Sequence, residues 1–436
     1  MDNAESRCNI SSLPFEIIAK VFEVFVLDNS RQLLHPSRQL LLASVCTRWR
    51  DICFSLSYLW TRLKIYPCPK LMASGDTETL AEMVGVWLAR AKNHPIDLRI
   101  DVNLYMPHVP SIQSGDLIVS GILRRFSTQF RHWDGPARAL HYAQLSSTSL
   151  PLLESVCISW NLLRSLDDRD FNSMVDLCVL GASKKLTRMH LVGPLTTTVD
   201  SPPLALNVTE LILEGLSLGS VITILQRTPH LEMLSLFGEH MPSPCDYVTL
   251  PTLHTLRLRT SWGDTPALGH LKVPGLETLE ILGAVNAWRG VSSLMERSSS
   301  TLRRLRLTAI PAHEISCYLS FIPAMQSVSE LEVVLCWNDE AFFTKVLHRL
   351  KAGALPGLHT LRIKACPILR SGFVEVLLGD IREIAAMTGL RFLGLELAKR
   401  HDWEWWRDAC MISFRDLVKE IEGLEVVIHG VSVSKE

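Results

Sequence analysis

The sequence predicts an α/β protein in which a small helical module precedes a long, curved array of parallel β-strands. Between Leu13 and Trp60 apolar residues recur at three- and four-residue intervals, which is typical of amphipathic helices. From about residue 150 onwards a Leu-x-x-Leu-x-Leu pattern returns in successive copies, which is typical of stacked repeats. We expect a solenoid with a parallel sheet on its concave face and helices or loops on its convex face.

The N-terminal module begins with Leu13-Pro14, where the fixed backbone angle of proline suits the first turn of a helix. Apolar residues then follow one helical face, and a second series predicts a second helix that faces the first. The two series are Ile17, Ile18, Val21, Phe22 and Phe25, then Leu40, Leu41, Val45, Trp49, Ile52 and Cys53. A hairpin of this size has little core of its own. It must therefore pack on the rest of the chain or present an apolar face to a partner.

The segment after the hairpin predicts helices at residues 80–91 and 117–130, with an alternating strand pattern at Ile96, Leu98 and Ile100 between them. This segment reads as an irregular first repeat. We therefore divide the chain into a helical module at residues 1–66, a helical linker with an irregular first repeat at 67–150, and a repeat array at 151–436.

The repeat pattern occurs in ten copies with conservative replacements. The copies are Leu153/Val156/Ile158, Leu186/Met189/Leu191, Val208/Leu211/Leu213, Leu231/Leu234/Leu236, Leu253/Leu256/Leu258, Leu276/Leu279/Ile281, Leu302/Leu305/Leu307, Val328/Leu331/Val333, Leu358/Leu361/Ile363 and Leu390/Leu393/Leu395. They start about 22 residues apart in the middle of the array and roughly 30 or more apart towards its end. The longer copies leave room for amphipathic helices at residues 339–350, 373–387 and 405–421. A degenerate copy near residues 424–428 closes the array.

Composition excludes several classes of partner. The formal net charge is −1, so no global positive field favours nucleic acid or an anionic membrane surface. The N-terminus resembles no secretory signal, and no stretch is long and apolar enough to span a bilayer, which predicts a cytoplasmic or nuclear protein. The eleven cysteines are scattered without a metal-binding spacing, so we expect reduced thiols, no metal and no cofactor.

The order of residues in the N-terminal module resembles the F-box, the segment that binds the Skp-type adaptor of cullin-RING ubiquitin ligases. The resemblance runs through Leu13-Pro14-x-Glu16-Ile17, Phe22, Val45-Cys46-x-x-Trp49-Arg50 and Leu59-Trp60 with Leu63. It implies a set of adaptor-contacting residues. These are Leu13, Pro14, Ile17, Ile18, Phe22, Val45, Cys46, Trp49 and Trp60. The alternative is an ordinary helical hairpin that caps the next domain.

The repeat resembles the leucine-rich repeat, in which the ninth position is typically Asn or Cys. Cys336 and Cys366 hold that position in two copies, and we expect both to be structural. The segment WLARAKNHPIDLRI is similar to the junction that follows the F-box in the expanded F-box families of mushroom-forming fungi. These resemblances imply a non-catalytic, substrate-recognition subunit of an SCF-type ubiquitin ligase. It would act as a monomer within a complex that contains a Skp-type adaptor, a cullin and an unknown target protein.

Residues between the inward leucines are predicted to line the concave face, and their charges alternate from strand to strand. The charged members include Arg257, Arg259, Glu280, Arg304, Arg306, Glu330, Glu332, Arg362, Lys364 and Glu396. Lateral pairing of these charges predicts a self-neutralised ladder. The alternative is that a target uses part of the ladder, with Met233 and Phe237 as apolar anchors beside Arg257, Arg259, Arg304 and Arg306. A loop at residues 241–244 that covers Met233 and Phe237 would remove this site.

Enzymatic interpretations have little support in the sequence. The compact catalytic and phosphate-binding motifs are absent, and we predict no catalytic residues. The cluster of His401 and Asp402 beside Trp403, Trp405 and Trp406 is more typical of a tryptophan-anchored convex helix. Two rival functions remain open. They are a scaffold whose partner is not ubiquitylated, and an enzyme with an unrecognised site near Glu280 or Glu330.

Overall fold

The structure is a computed structural model, and the residues that it describes are 13–27, 38–65, 77–100, 112–145, 150–159, 174–175, 180, 183–193, 196–197, 206–238, 247–259, 266–283, 288–299, 301–310, 318–319, 326–334, 340–366, 371–397, 412, 414–428 and 431–433. The chain divides into two compact units, Met1–Leu206 and Asn207–Glu436. N-terminal helices precede a large parallel sheet with helices, which is the α/β class that the sequence predicts. The boundaries at residues 66 and 150 stay predictions.

The first unit begins with helices and continues with strands that alternate with helices. The described helices are α1 (Phe15–Leu27), α2 (Arg38–Val45), α3 (Thr47–Ser55), α4 (Thr77–Arg90), α5 (Ile112–Phe126) and α6 (Ala137–Ala143), with 3-10 turns at Ser57–Trp60 and Ser127–Gln129. The strands are β1 (Arg62–Ile65), β2 (Ile96–Ile100), β3 (Phe130–Pro136), β4 (Ser155–Ser159), β5 (Met174–Val175), β6 (Arg188–Val192) and β7 (Thr196–Thr197). Strands β1, β2, β3, β4 and β6 pair in parallel in that order.

The helix predicted over residues 40–53 is two helices, because Cys46 interrupts it. The Cys46 backbone is extended, with φ −161° and ψ 170°, and the Sγ atom accepts a hydrogen bond from the Trp49 N–H at 3.4 Å. Cys46 is therefore the N-cap of α3, since its side chain satisfies an N–H group that lacks a partner within the helix.

The second unit repeats the same strand many times. Its strands are β8 (Glu210–Glu214), β9 (Met233–Phe237), β10 (Val248–Thr249), β11 (Thr255–Arg259), β12 (Leu271–Lys272), β13 (Thr278–Leu282), β14 (Arg304–Thr308), β15 (Glu330–Val334), β16 (Thr360–Cys366), β17 (Phe392–Leu397), β18 (Glu425–Ile428) and β19 (Val431–Val433). The described helices are α7 (Leu218–Gln226), α8 (Pro266–Gly269), α9 (Trp288–Ser298), α10 (Glu340–Lys351) and α11 (Ser371–Thr388). Strands β8, β9, β11 and β13 to β18 pair in parallel in chain order, and β19 pairs antiparallel with β18.

The repeat pattern identifies the core correctly. In all ten copies the three pattern residues are at most 3% exposed. Strands β11, β13 and β14 show the arrangement: Leu256, Leu279 and Leu305 are directly opposite one another across the sheet and fully buried. The side chains between them point to the other face, since successive residues of a strand alternate sides.

A left-handed residue follows several strands of the second unit. After β13 it is Gly283 with φ 63°, and after β14 it is Ala309 with φ 55°. Each donates its N–H to the last carbonyl of the next strand, Gly283 to Thr308 at 2.8 Å and Ala309 to Val334 at 3.0 Å. The same turn therefore ends successive strands and keeps them in register, and glycine suits it because it tolerates a positive φ.

Two of the three predicted late helices are confirmed, at α10 and α11. Within the third, residues 414–420 are helical and 405–411 lie outside the described residues, as does the cluster around His401. Cys336 also lies outside them, and Cys366 is the last residue of β16. None of the helices that the structure describes has the length and apolar character needed to cross a bilayer.

Candidate functional site

Helix α1 has two apolar faces instead of one. Its first turn forms behind Pro14, whose carbonyl accepts the Ile18 N–H at 3.2 Å. Ile18 and Phe22 point inwards and are 2% and 0% exposed. The opposite face is also apolar and lies open to solvent. Its members are Phe15, Ile17, Val21, Val24 and Phe25, which are 43% to 60% exposed.

Helix α2 adds three more exposed apolar side chains, Leu40, Leu41 and Val45. Of the fourteen large apolar side chains that are exposed among the described residues, eight lie between Phe15 and Val45. We call these eight the hairpin surface. A concentration of this kind is unfavourable in water and is typical of a protein-binding site, whereas isolated exposed apolar residues are ordinary.

The hairpin surface is held from behind by a small aromatic core. The Phe22 and Trp49 rings meet edge to face with centroids 5.0 Å apart, and Trp60 meets Trp87 of α4 at 4.6 Å. Trp60 is fully buried, and its indole N–H donates to the Cys53 carbonyl at 2.9 Å. These contacts tie the hairpin to α4 within the first unit, so the hairpin does not depend on its own few residues alone.

Polar contacts fix the ends of the helices. Arg48 donates to the Leu13 carbonyl at 2.7 Å, which holds the start of α1 beside the start of α3. Arg38 donates to the Phe25 carbonyl at 2.7 Å, and its guanidinium stacks on the Phe25 ring. The buried Gln39 side chain donates to the Leu59 carbonyl at 2.8 Å. The outward apolar residues are therefore presented on a rigid frame.

The predicted adaptor residues separate into two groups. Pro14, Ile17, Val45 and Cys46 are exposed, while Leu13 and Trp49 are half-buried. These six remain candidates for direct contact.

Ile18, Phe22 and Trp60 are at most 2% exposed and form the core behind the hairpin surface, which gives them a structural role, and their contact with an adaptor stays a prediction. The sequence prediction did not include six other exposed apolar residues among the contact candidates. These are Phe15, Val21, Val24, Phe25, Leu40 and Leu41. An apolar stripe alone does not reveal which of two apolar faces turns inwards.

Cys53 is a structural thiol. It is fully buried and donates through Sγ to the Gln39 carbonyl at 3.4 Å. Burial raises the pKa of the Cys53 thiol to about 11, and the Arg90 guanidinium offsets this only in part. The thiolate is therefore scarce at neutral pH, which disfavours nucleophilic reactivity and fits a structural role. Among the residues that the structure describes, no three His, Cys, Asp or Glu side chains are grouped for a metal ion.

The geometry of the hairpin can now be compared with known proteins. Residues 10–66 match the F-box-like family. No curated protein matches the chain. The F-box-like segment ends one residue after β1 and includes the whole hairpin surface. An F-box-like domain indicates a protein that binds the adaptor of SCF-type ubiquitin ligases. Proteins with F-box domains are typically non-catalytic subunits of those ligases.

The outward face of the strands in the second unit is charged, and its charges pair laterally as predicted. Arg257 contacts Glu280 at 2.9 Å, and Glu280 lies 4.0 Å from Arg306. The chain of contacts continues from Arg306 to Glu332 at 3.4 Å and from Glu332 to Lys364 at 3.1 Å. We call this chain of charges the ion-pair ladder.

Two further contacts lie beside the ladder. Lys364 lies 3.8 Å from Glu396, and the separate pair of Arg304 and Glu330 lies 2.7 Å apart. Of the four arginines predicted to bind a target, Arg257, Arg304 and Arg306 are thus already paired with glutamates. A target that used them would first have to displace those carboxylates.

Met233 and Phe237 are half-buried instead of protruding as anchors. Arg257 approaches the Met233 sulfur at 3.2 Å, and the Arg259 guanidinium lies 5.9 Å from the Phe237 ring centroid. Arginines on the neighbouring strand therefore cover part of both apolar side chains. The loop at residues 241–244 lies outside the described residues.

Proposed function

We propose that this protein is the substrate-recognition subunit of an SCF-type ubiquitin ligase. The hairpin surface binds a Skp-type adaptor and, through it, a cullin. Residues 151–436 form a curved leucine-rich-repeat solenoid of the kind found in the expanded F-box families of mushroom-forming fungi, and the outward face of its strands holds a target protein. The protein acts as a monomer within this complex, in the cytoplasm or the nucleus.

The observation that carries the proposal is the hairpin surface on residues that match the F-box-like family. Eight exposed apolar side chains on two short helices need a partner, and the family match indicates which partner. Ile17 and Val45 belong to this surface, and Leu13, Pro14 and Cys46 adjoin its two helices; all of them except the half-buried Leu13 are exposed. We expect them to contribute directly, with Trp49 at its margin.

The proposed mechanism is proximity. The chain contributes no catalytic group. It holds a target near the conjugating enzyme that the ligase recruits, and this raises the local concentration of a target lysine around the reactive thioester. Repeated parallel strands with buried leucines support a rigid platform for this task, because each strand is fixed by both of its neighbours.

A non-catalytic scaffold is the second candidate, and the ion-pair ladder favours it. A face whose charges neutralise one another is soluble without a partner, and it does not by itself indicate a target. In this case the adaptor would bind, and no partner would be ubiquitylated.

The test is affinity purification of the full chain from cells, beside the double variant Leu13→Ala, Pro14→Ala. The control is Val376→Asp, which changes an exposed apolar residue of α11. We expect adaptor and cullin to accompany the wild type and the control and to be lost from the double variant. Their absence from the wild type would overturn the proposal. Adaptor binding without any ubiquitylated partner, measured with the proteasome inhibited, would favour the scaffold.

A further inference from the structure

The ion-pair ladder has a gap at strands β16 and β17. In register, Glu332 of β15 lies opposite Arg362 of β16, and Arg362 lies opposite Gly394 of β17. Glu332 nevertheless pairs with Lys364 and Arg306, and Gly394 offers no side chain. Arg362 has no carboxylate within ion-pair distance among the residues that the structure describes, although it is exposed on the charged face.

Gly394 shapes the space beside Arg362. A Cβ atom at position 394 would lie 3.0 Å from Cε1 of Phe392 and 3.4 Å from Cγ of Arg362. The phenyl ring therefore occupies the position that a side chain would take, and the Arg362 guanidinium lies 5.1 Å from the ring centroid. This cation–π contact holds the guanidinium over the ring without using its N–H donors.

A pocket of about 450 Å³ opens at this gap, and Arg362, Lys364, Phe392, Gly394, Glu396 and Val427 are among its lining residues. Its volume lies within the range of small-ligand sites. The charged lining residues are two cations and one anion, and Lys364 lies 3.8 Å from that anion, Glu396. Lys364 also contacts Glu332 at 3.1 Å, so the charged lining group outside any ion pair among the described residues is the Arg362 guanidinium, which is the group best suited to bind an oxyanion with two parallel hydrogen bonds.

We propose that this pocket, the Arg362 pocket, binds an oxyanion carried by a side chain of a target peptide. Carboxylate and phosphate present the same pair of acceptor oxygens to Arg362. The apolar side of the pocket, formed by Phe392 and Val427, accepts an apolar side chain next to the acidic one. The proposal deepens the proposed function, because it names a chemical class of target, but it does not require adaptor binding.

The experiment is binding of the purified full chain to an array of short peptides with one central variable residue flanked by leucine. The variable residue is aspartate, glutamate, phosphoserine, glutamine or serine. We expect wild-type chain to prefer acidic over neutral peptides, and we expect Arg362→Gln to reduce that binding by about tenfold or more. Gly394→Val, which fills the pocket, should have the same effect. Arg382→Gln removes an exposed arginine of α11 that is paired with Glu420, outside the strand face, and is the matched control.

The outcomes separate the sources of the oxyanion. A preference for phosphoserine alone identifies phosphate, and a preference for aspartate or glutamate alone identifies carboxylate. Equal binding of acidic and neutral peptides by the wild type, or an acidic preference unchanged in both pocket variants, would overturn the proposal. Circular dichroism of each variant shows whether it is folded. If Gly394→Val does not fold, Arg362→Lys replaces it, because lysine keeps the positive charge but cannot donate two parallel hydrogen bonds. Adaptor binding is scored in parallel, so that each proposal can fail while the other stands.

Discussion

The hairpin surface and the ion-pair ladder are both exposed to solvent, but their side chains have opposite character. On α1 and α2 the outward side chains are apolar, with Val45 61% and Val24 60% exposed. On strands β11 to β16 many of the outward side chains are charged, and most of these pair with a neighbouring strand. The apolar surface gains free energy when a partner covers it, whereas the paired charges lose hydration when they are covered.

This difference explains why one face indicates its partner and the other does not. Burial of an apolar surface is non-directional, so its exposure alone indicates that something binds there. A neutralised charge ladder is stable in water and compatible with many roles. Among the described residues, the gap at Arg362 combines an exposed arginine outside any ion pair with an adjoining pocket, and that place lies away from the residues that the sequence favoured.

The largest effect is expected when the core behind the hairpin surface is removed. Trp60→Ala deletes a fully buried ring and leaves the Cys53 carbonyl without its donor. We expect it to destabilise the hairpin by about 3–5 kcal/mol. Hydrogen exchange of the α2 and α3 amides measures this loss. Adaptor binding should fall together with amide protection, and intact protection in the variant would contradict the structural role that we assign to Trp60.

A smaller effect, on binding alone, is expected when the outward face is changed. Ile17 is 50% exposed, so Ile17→Asp should leave the helices folded while placing a charge in the adaptor contact. We expect a loss of about 2 kcal/mol in adaptor binding, which is roughly thirtyfold in Kd. Calorimetry with purified adaptor measures it, and Val376→Asp is the matched control. Unchanged affinity would show that the adaptor does not contact this part of the hairpin surface.

The ladder should respond to the loss of a carboxylate that contacts two cations. Glu332 is 17% exposed and contacts both Arg306 and Lys364. Glu332→Gln leaves two cations without their shared anion, and we expect a loss of about 1 kcal/mol of stability. Denaturant unfolding measures the change. Glu396→Gln is the control, because Glu396 is 57% exposed and its ion-pair contact with a described residue, Lys364, is long at 3.8 Å. Equal effects of the two substitutions would show that connectivity within the ladder is unimportant.

The sequence predicted the strands better than the hairpin, for a physical reason. Each repeat places its leucines at fixed spacing, and the same positions face inwards in every copy. The burial of Leu256 and Leu279 therefore follows from the pattern alone. Helix α1 is apolar on two sides. Its pattern includes both Phe22, which is buried, and Val21, which is exposed. Only the packing of Phe22 on Trp49 decides between the two faces.

The division of the second predicted helix at Cys46 was not foreseen, because cysteine is a less common N-cap than serine or aspartate. The alternation of charge between strands did predict lateral pairing. It did not predict which pairs form, because Lys364 contacts Glu332 across a diagonal while Arg362, directly opposite Glu332, stacks on Phe392. Long side chains reach more than one neighbour, and the sequence does not rank those contacts.

The smallest expected effect concerns the exposed pair of Arg304 and Glu330, which lie opposite each other on β14 and β15. Arg304→Glu places two carboxylates side by side, and we expect a loss of about 0.5 kcal/mol at low salt. Adding Glu330→Arg reverses the pair and should restore most of the stability. In 1 M salt the difference in stability between the single and double variants should vanish, because the Debye length is then only about 3 Å. Denaturant unfolding of the two single variants and the double variant gives the coupling energy directly. A coupling near zero at low salt would mean that the pair contributes nothing to the strand face, and that solubility there comes from charge alone.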